Sequence, residues 1–583
     1  MLTRKHRRCG QGRSGLQPSG LWGPRPPASG GRSRPVIAAL IALFAVAVPL
    51  VASASGGWTA QSAGTSYMVP ELIQAAAQTP NANVPVIVTS TDGTAAAARV
   101  VSDAFGTAKV VSPSGRLDFV DGVAVRMPAD RLDEVAAHPG VTVTPDAPMI
   151  GDAVPLTKET SKTYRDPGPN WLNSCGCDQL VRRYRGVQPA AIAIVDSGID
   201  QSRPDFAGRI AASVDLASLG PNSPGDGYGH GTFVAGIAAG GAREHPGVAP
   251  TAPLVSLDVM NDQGVARTSD VIRAAQWIVA NKQRYGIGVA NFSLHAGGPS
   301  SFRYDPLDKA IEKLWFSGVV VVTSAGNYGL ATGASGVPTA PANDPFALTV
   351  GALDPKGSPR NVGDLAPWWS AYGYTPDGFA KPELGAPGRN LIGPVPPGST
   401  LAIERPNQLV APDYIKLSGT SFSAAVVTGI AAYVRGIHPD WTPDQVKGAL
   451  MANANTVPKS PPLSAGLGAV DAKGAAGDRS PPTANLALDR FVVTGQGDSV
   501  PTFDAAAWLA AAKADPNWDA DAWTAGGWSR NQNKAAVSWS DVSWSDVSWS
   551  DVSWSDVSWS DVSWSDVAWS DSGLEDAALG DVD

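Results

Sequence analysis

Three short motifs each carry one residue of a set that could break an acyl bond: Asp196 in AIAIVDSGID, His230 in GYGHGTFVAGIAAG and Ser421 in LSGTSFSAAVVTGIAAYV. A serine hydroxyl is a weak nucleophile at neutral pH. It needs a neutral histidine to take its proton and an ionised carboxylate to hold that histidine in the right tautomer and stabilise the imidazolium. Ser421 also opens an apolar helix-like run, so its backbone N–H is one of the donors left unpaired at a helix start and can face a developing oxyanion. A fourth segment, VVVVTSAGNYG, ends at Asn327, whose side-chain amide could be a second such donor. Taken singly, each residue has an ordinary explanation: a turn aspartate, a surface histidine, a helix cap. Their occurrence together is what gives them weight.

Positioning these residues requires a scaffold, and the pattern from about Pro189 supplies one. Short apolar strands (AIAIVD, APLVSLDVM, GVANFSL, VVVVTSAGN) alternate with amphipathic helices (SDVIRAAQWIVAN, PLDKAIEKLWFSG). That alternation predicts an α/β domain, a mostly parallel sheet covered by helices on both faces. In such sheets the carboxyl ends of the strands face the ligand crevice, where Asp196 and Asn327 fall. Upstream, residues 84–149 read as strand, helix, strand, strand, helix, strand (VPVIVTS, TAAAARVVSDAF, AKVVS, LDFVDGVAVRMP, DRLDEVAAH, VTVTP), a small α+β unit.

The four motifs resemble those of the subtilisin-like serine peptidases, the subtilases, and the likeness extends through GVAPTAPLVSLDVM, NFSLHAGG, ALTVGALD, KPELGAPG and GLGAVDAKGA. The resemblance implies a subtilisin-like fold and a serine endopeptidase. It makes Asp196, His230 and Ser421 the triad and Asn327 the oxyanion donor. It places Ser293 and Leu294 on one wall of the substrate cleft and Ala325 and Gly326 on another. It also implies that the α+β unit is a prosegment acting as chaperone and inhibitor, cut from the enzyme by the enzyme. Phe422 and Ala425 stand where many relatives carry Met and Pro, which alters packing below Ser421 and removes no chemical group. His295 and Ala296 lengthen the family's Ser-Leu-Gly-Gly stretch, so detailed specificity does not transfer. GGAREHPGVAP offers too few fixed oxygen ligands for a strong site where relatives often bind calcium; a structural calcium ion stays open without support from the sequence, and no cofactor is required for the chemistry. A scaffold or adhesion role would go with a broken triad, and a related acid peptidase would lack the histidine motif; the motifs here are complete.

The remaining sequence divides the 583 residues into further parts. Basic residues precede the apolar run VIAALIALFAVAVPLVASA, which ends in Ala52-Ser53-Ala54, so residues 1–54 read as a secretion signal rather than a permanent anchor. The expected organisation is then a prosegment over 55–150, a peptidase domain over 165–478 and a linker over 479–535. Seven SWSDV-type units follow over 536–571, centred on Trp539 through Trp569, and an acidic end over 572–583. A five-residue period puts tryptophans on alternating faces of a strand and drifts around a helix, so the tail is expected to lack a fixed fold of its own. Tryptophans beside acidic groups fit retention of a secreted enzyme at the cell envelope or on a polymer. A net charge of -9 and a pI near 5.2 exclude a generic nucleic-acid binder. Three cysteines cannot form a disulfide framework; Cys175 and Cys177 could be a local disulfide or an unpaired thiol, and as two lone thiols they make a poor zinc site.

Overall fold

The computed structural model describes residues 66–105, 115–151, 171–355, 364–494 and 500–514. The secretion signal, the AKVVS segment and the SWSDV repeats lie outside the described residues.

The first described unit is a five-stranded sheet of order β1-β5-β2-β4-β3, formed by Tyr67–Met68 (β1), Asn83–Ser90 (β2), Arg116–Leu117 (β3), Gly122–Pro128 (β4) and Val141–Pro145 (β5). Helices Pro70–Gln78 (α1), Thr94–Phe105 (α2) and Leu132–Ala136 (α3) cover it and share with it a small core that includes Val86, Val88, Val101, Leu132 and Val143. β1 and α1 add to the pattern expected from sequence. LDFVDGVAVRMP is not one strand: a 3-10 turn, Asp118–Val120, separates β3 from β4, with Asp121 left-handed at φ 57°. That turn lies on the following domain, where Lys313 donates to the Phe119 carbonyl at 2.7 Å. Tyr67 also stacks on Tyr304 with ring centroids 4.0 Å apart. The chain then runs on as a short strand, Pro148–Ile150 (β6).

Two short helices, Trp171–Ser174 (α4) and Cys177–Arg183 (α5), precede the main sheet, and Cys175 and Cys177 beside them are joined as a buried disulfide. The alternative left open by the sequence is thereby decided. The main sheet has strands Ala191–Asp196 (β7), Ile210–Asp215 (β8), Leu254–Asp258 (β9), Ile287–Phe292 (β11), Val320–Ser324 (β13), Leu348–Leu353 (β14) and Leu384–Pro387 (β17). Its order is β17-β14-β13-β11-β7-β9-β8, and every pairing is parallel. β7, β9, β11, β13 and β14 are buried along their whole length, while edge strand β8 alternates between half-buried and exposed positions. Strands covered on both faces need continuous apolar runs, and these have them.

Helices His230–Ala239 (α6), Thr268–Tyr285 (α7), Pro306–Phe316 (α8), Thr420–Ile437 (α10) and Pro443–Ala452 (α11) are the principal cover. Asp305 caps α8 through Leu307 N–H at 2.7 Å, and Thr442 with Gln445 forms a reciprocal cap on α11. Among the described residues α10 is the one helix long and apolar enough to cross a membrane, yet 83% of it is buried within the domain. It is the central core helix.

The stretch expected as linker after residue 478 is, in its first part, folded. Leu486–Asp489 (α13), the pair Val492–Val493 and Thr502–Phe503 (β21 and β22) and Ala505–Ala514 (α14) lie against the main domain. Phe503 meets Phe346 edge-on at 5.2 Å, and Trp508 meets Phe302 at 5.4 Å and Phe379 at 5.5 Å. The Pro- and Ala-rich composition concealed this, because two aromatic anchors are enough to fix a strap whose other residues need only reach. A chain ending at residue 514 should therefore unfold at the same temperature as the whole chain, whereas one ending at 478 should unfold well below it. Trp508→Ala should cost ~3–5 kcal/mol of stability. Calorimetry of these four proteins checks both statements.

Candidate active site

Asp196 is the last residue of β7 and is fully buried, as is His230, the first residue of α6. Between their side chains is a 2.8 Å hydrogen bond from His230 Nδ1 to Asp196 Oδ1, an oxygen that also accepts from Ser197 N–H at 2.9 Å. α6 can approach this closely because residue 231 is glycine: a Cβ there would stand 2.1 Å from the Gly198 carbonyl oxygen and 3.1 Å from Asp196 Cβ. With Nδ1 engaged, Nε2 is the ring nitrogen turned away from the carboxylate.

Ser421 is the second residue of α10, after Thr420. Its neighbour Phe422 lies with its ring 5.5 Å from the His230 ring and 4.4 Å from that of Phe233, so the starts of α6 and α10 are locked together. Beneath Ser421 runs a polar chain: Thr428 donates to Asn291 Oδ1 at 2.9 Å, Asn291 donates to Ser293 Oγ at 2.8 Å, and Ser293 Oγ donates to the Ser421 carbonyl at 2.9 Å. Ser421 Oγ is 3.4 Å from the Ser293 carbonyl oxygen. Asn327 follows β13, and its Oδ1 accepts from Thr420 N–H at 2.9 Å and Thr420 Oγ at 3.1 Å. Those two bonds fix the amide plane and turn Nδ2 to the other side. Gly326, with φ +105°, donates to Thr420 Oγ at 3.1 Å, which ties the β13 loop to the start of α10. The structure thus gathers Asp196, His230, Ser421, Asn327, Ser293 and Gly326 into one cluster, with Ala325 and Leu294 buried next to them in sequence.

A strand already runs along this cluster. β6 pairs antiparallel with Val265–Arg267 (β10) on one side and with His295–Ala296 (β12) on the other. Gly297 N–H donates to the Pro148 carbonyl at 3.0 Å, and Gly151 N–H donates to the Gly264 carbonyl at 3.3 Å. At its end, Gly151 packs on the histidine: a Cβ there would be 3.2 Å from His230 Nδ1 and 2.9 Å from Met260 Cε. Tyr228 Oη donates to the Gly151 carbonyl at 3.3 Å. The wall expected at NFSLHAGG supplies His295 and Gly297, whereas the main-chain partners at Gly264 and Val265 were missed by sequence reasoning. Backbone donors and acceptors leave no mark on residue type, and only the register of the three strands reveals them.

A doubly covered parallel sheet with an Asp–His pair, a serine at a helix start and an anchored Asn amide defines a serine-nucleophile α/β domain. The subtilase family model matches residues 188–485, and the chain belongs to that family. It is 34% identical over 292 residues to serine protease AprX of Bacillus subtilis strain 168, which covers 48% of this chain and 65% of AprX. It is 31% identical over 265 residues to a subtilisin of Bacillus pumilus, covering 45% of this chain and 82% of that protein. The chain therefore spans just under two thirds of the length of AprX and most of the shorter subtilisin. Among solved structures it shares its fold with fervidolysin of Fervidobacterium pennivorans, with a TM-score of 0.55 over 73% of this chain and 65% of that one, at 22% identity.

A second carboxylate, Asp226, supports the Asp196–His230 pair from behind. It accepts from Ser197 Oγ at 2.8 Å, Gly229 N–H at 2.6 Å and Thr232 N–H at 2.8 Å, so it joins the turn after Asp196 to the first turn of α6. Complete burial outweighs these bonds and raises it to about 7. Neighbouring Asp258 is raised to about 8, by burial first and then by Asp226 and Asp215. Both folded values lie above the ~3.9 of an unfolded aspartate. Their contribution to stability is therefore complete below about pH 4 and is lost as pH rises through about 7 to 8. Asp226→Asn should lower stability at acid pH yet flatten its decline between about pH 5 and 8. Melting temperature measured against pH for the two proteins checks the slope.

Proposed function

We propose that this protein is a secreted serine endopeptidase that matures by cutting its own precursor. The observation that carries the reading is the fully buried His230–Asp196 hydrogen bond of 2.8 Å beside the start of α10, where Ser421 stands. In the proposed reaction His230 takes the Ser421 proton as Oγ attacks the substrate carbonyl, and Asp196 stabilises the imidazolium that forms. Ser421 N–H and Asn327 Nδ2 receive the oxyanion. The imidazolium then protonates the departing amine, and a water molecule activated by the same imidazole hydrolyses the acyl-enzyme. Nucleophile, base and oxyanion donors are all supplied by the chain, so this scheme calls for no metal or cofactor. Peptide substrates would bind as an extended strand between β10 and β12, a mode in which main-chain bonds give affinity and side-chain pockets give selectivity.

The α+β unit ahead of the domain fits a prosegment, since its continuation β6 lies between β10 and β12 and would block any other strand. The N-terminal apolar run fits secretion, and the SWSDV repeats fit retention at the cell envelope or on a polymer. Ser421→Ala should abolish peptide hydrolysis and accumulate as full precursor in a protease-free host, read by mass spectrometry. Normal processing of that variant there would show that the cut is made by another enzyme. Asn327→Ala should lower kcat by ~10²–10³ with little change in KM. A chain ending at residue 514 should keep full hydrolysis of small peptides and appear in larger proportion in the culture medium, measured by fractionation.

A further inference from the structure

The cleft contacts do not stop where β6 ends. One residue before it, the Ala147 carbonyl accepts from both the N–H and the Oγ of Thr268, each at 3.1 Å. Next, the side chain of Asp146 sits on the first turn of α7, where Ser269 N–H donates to Oδ1 at 2.8 Å and Ser269 Oγ donates to Oδ2 at 2.9 Å. Arg267, from β10, approaches Asp146 Oδ2 at 3.9 Å. The carboxylate is only 5% exposed and lies in a built site. α7 has no side-chain cap of its own, Arg267 at that position making none, so its capping group comes from the segment that fills the cleft. Asp270 of the same turn is turned aside by Ser218, which donates to it through N–H at 3.0 Å and Oγ at 2.7 Å, and by Arg273 at 2.7 Å. A carboxyl group finds two donors for its two oxygens here, the positive end of a long helix and a nearby guanidinium, and these offset part of the burial that raises its pKa.

We propose that Ser269 is a specificity-determining residue and that the mature enzyme selects substrates with an aspartate five residues upstream of the residue packed against His230. The inference rests on the reading of the preceding unit as a prosegment whose place the substrate takes. When that unit leaves, Thr268 and Ser269 lose these partners, and a substrate in the same register restores them only if it brings an acidic side chain to that position. A neutral isostere keeps the strand pairing and loses one donor's acceptor and the charge. Hydrogen bonds to charged groups are stronger than neutral ones by enough to make the preference about tenfold or more.

The test uses self-processed wild-type enzyme and quenched fluorescent peptides with the sequence of residues 144–157, carrying Asp, Asn or Ala at the position of Asp146. The expected result is kcat/KM about tenfold higher for Asp than for Asn or Ala, the difference lying mainly in KM. Ser269→Ala should narrow that ratio severalfold, and Ser269→Asp should reverse it, with hydrolysis of a short peptide ending upstream at the position of Pro148 unchanged in both variants. Equal kcat/KM for the three long peptides with wild-type enzyme would overturn the proposal and leave the peptidase reading standing. Failure to cut any peptide, or denatured casein, would overturn the peptidase reading and this proposal with it.

Discussion

A carboxylate with no exposure to water is an unstable thing to build a site upon, and the rest of this structure is arranged so that Asp196 can be one. Stripping an ionised carboxylate of hydration costs several kcal/mol unless hydrogen bonds replace the water. At the carboxyl end of β7 the replacement is close at hand: the following residue's own N–H, and the His230 ring brought in by α6. One partner is a backbone N–H and the other a ring carried on the first residue of a helix. The strand fixes one and the helix start fixes the other, so the Asp196–His230 hydrogen bond inherits the rigidity of the sheet. The parallel sheet is in that sense a requirement of the chemistry, because parallel strands deliver β7 and β13 to the same edge, Asp196 at one and the Asn327 loop just past the other.

Rigidity at that edge has to be maintained where the chain leaves the strands. The loop before β14 is held by two buried ammonium groups. Lys381 donates to the carbonyls of Asp344 and Ala347 and Lys447 to those of Pro345, Phe346 and Ala347, while both meet Glu383 Oε1, at 2.7 and 2.8 Å. Burial, ahead of every other influence, lowers Lys381 to about 8. Glu383 also accepts from Thr349 N–H at 2.8 Å, so the same carboxylate that neutralises the lysines reaches into β14. Such an ion cluster adds little net stability compared with apolar packing, but removing one member leaves the others buried and uncompensated. Its effect is therefore to fix one loop conformation, and β14 lies directly beside β13, whose loop carries Asn327.

Much of this was legible in the sequence, for a physical reason. Strands buried on both faces must be continuously apolar, and a catalytic group at a strand end must interrupt that run with a polar residue, so AIAIVD and VVVVTSAGN announce both element and site. What stayed hidden had no such signature. Phe503 and Trp508 anchor a strap through ring contacts with Phe302, Phe346 and Phe379, residues some 120 to 200 positions earlier, and nothing local in their surroundings reports that partnership. The 3-10 turn at Asp118–Val120 was read as strand because it lies inside the largely apolar run LDFVDGVAVRMP, whereas it sits on the next domain, where Lys313 binds it.

The cleft shows the same division more sharply. Its strand-binding atoms belong to the main chain at Gly264, Val265, His295 and Gly297, so the bonds themselves carry no side-chain signature. Sequence can therefore single out a candidate nucleophile while saying little about what is presented to it. Selectivity must come from the few places where a side chain of the bound strand meets a fixed group. Gly151 is one, because Met260 and His230 leave room for little beyond a hydrogen. Asp146 on the first turn of α7 is another, because a helix start cannot satisfy its own N–H groups and so always offers them to whatever lies across it. The segment that fills this cleft meets both conditions at once, five residues apart.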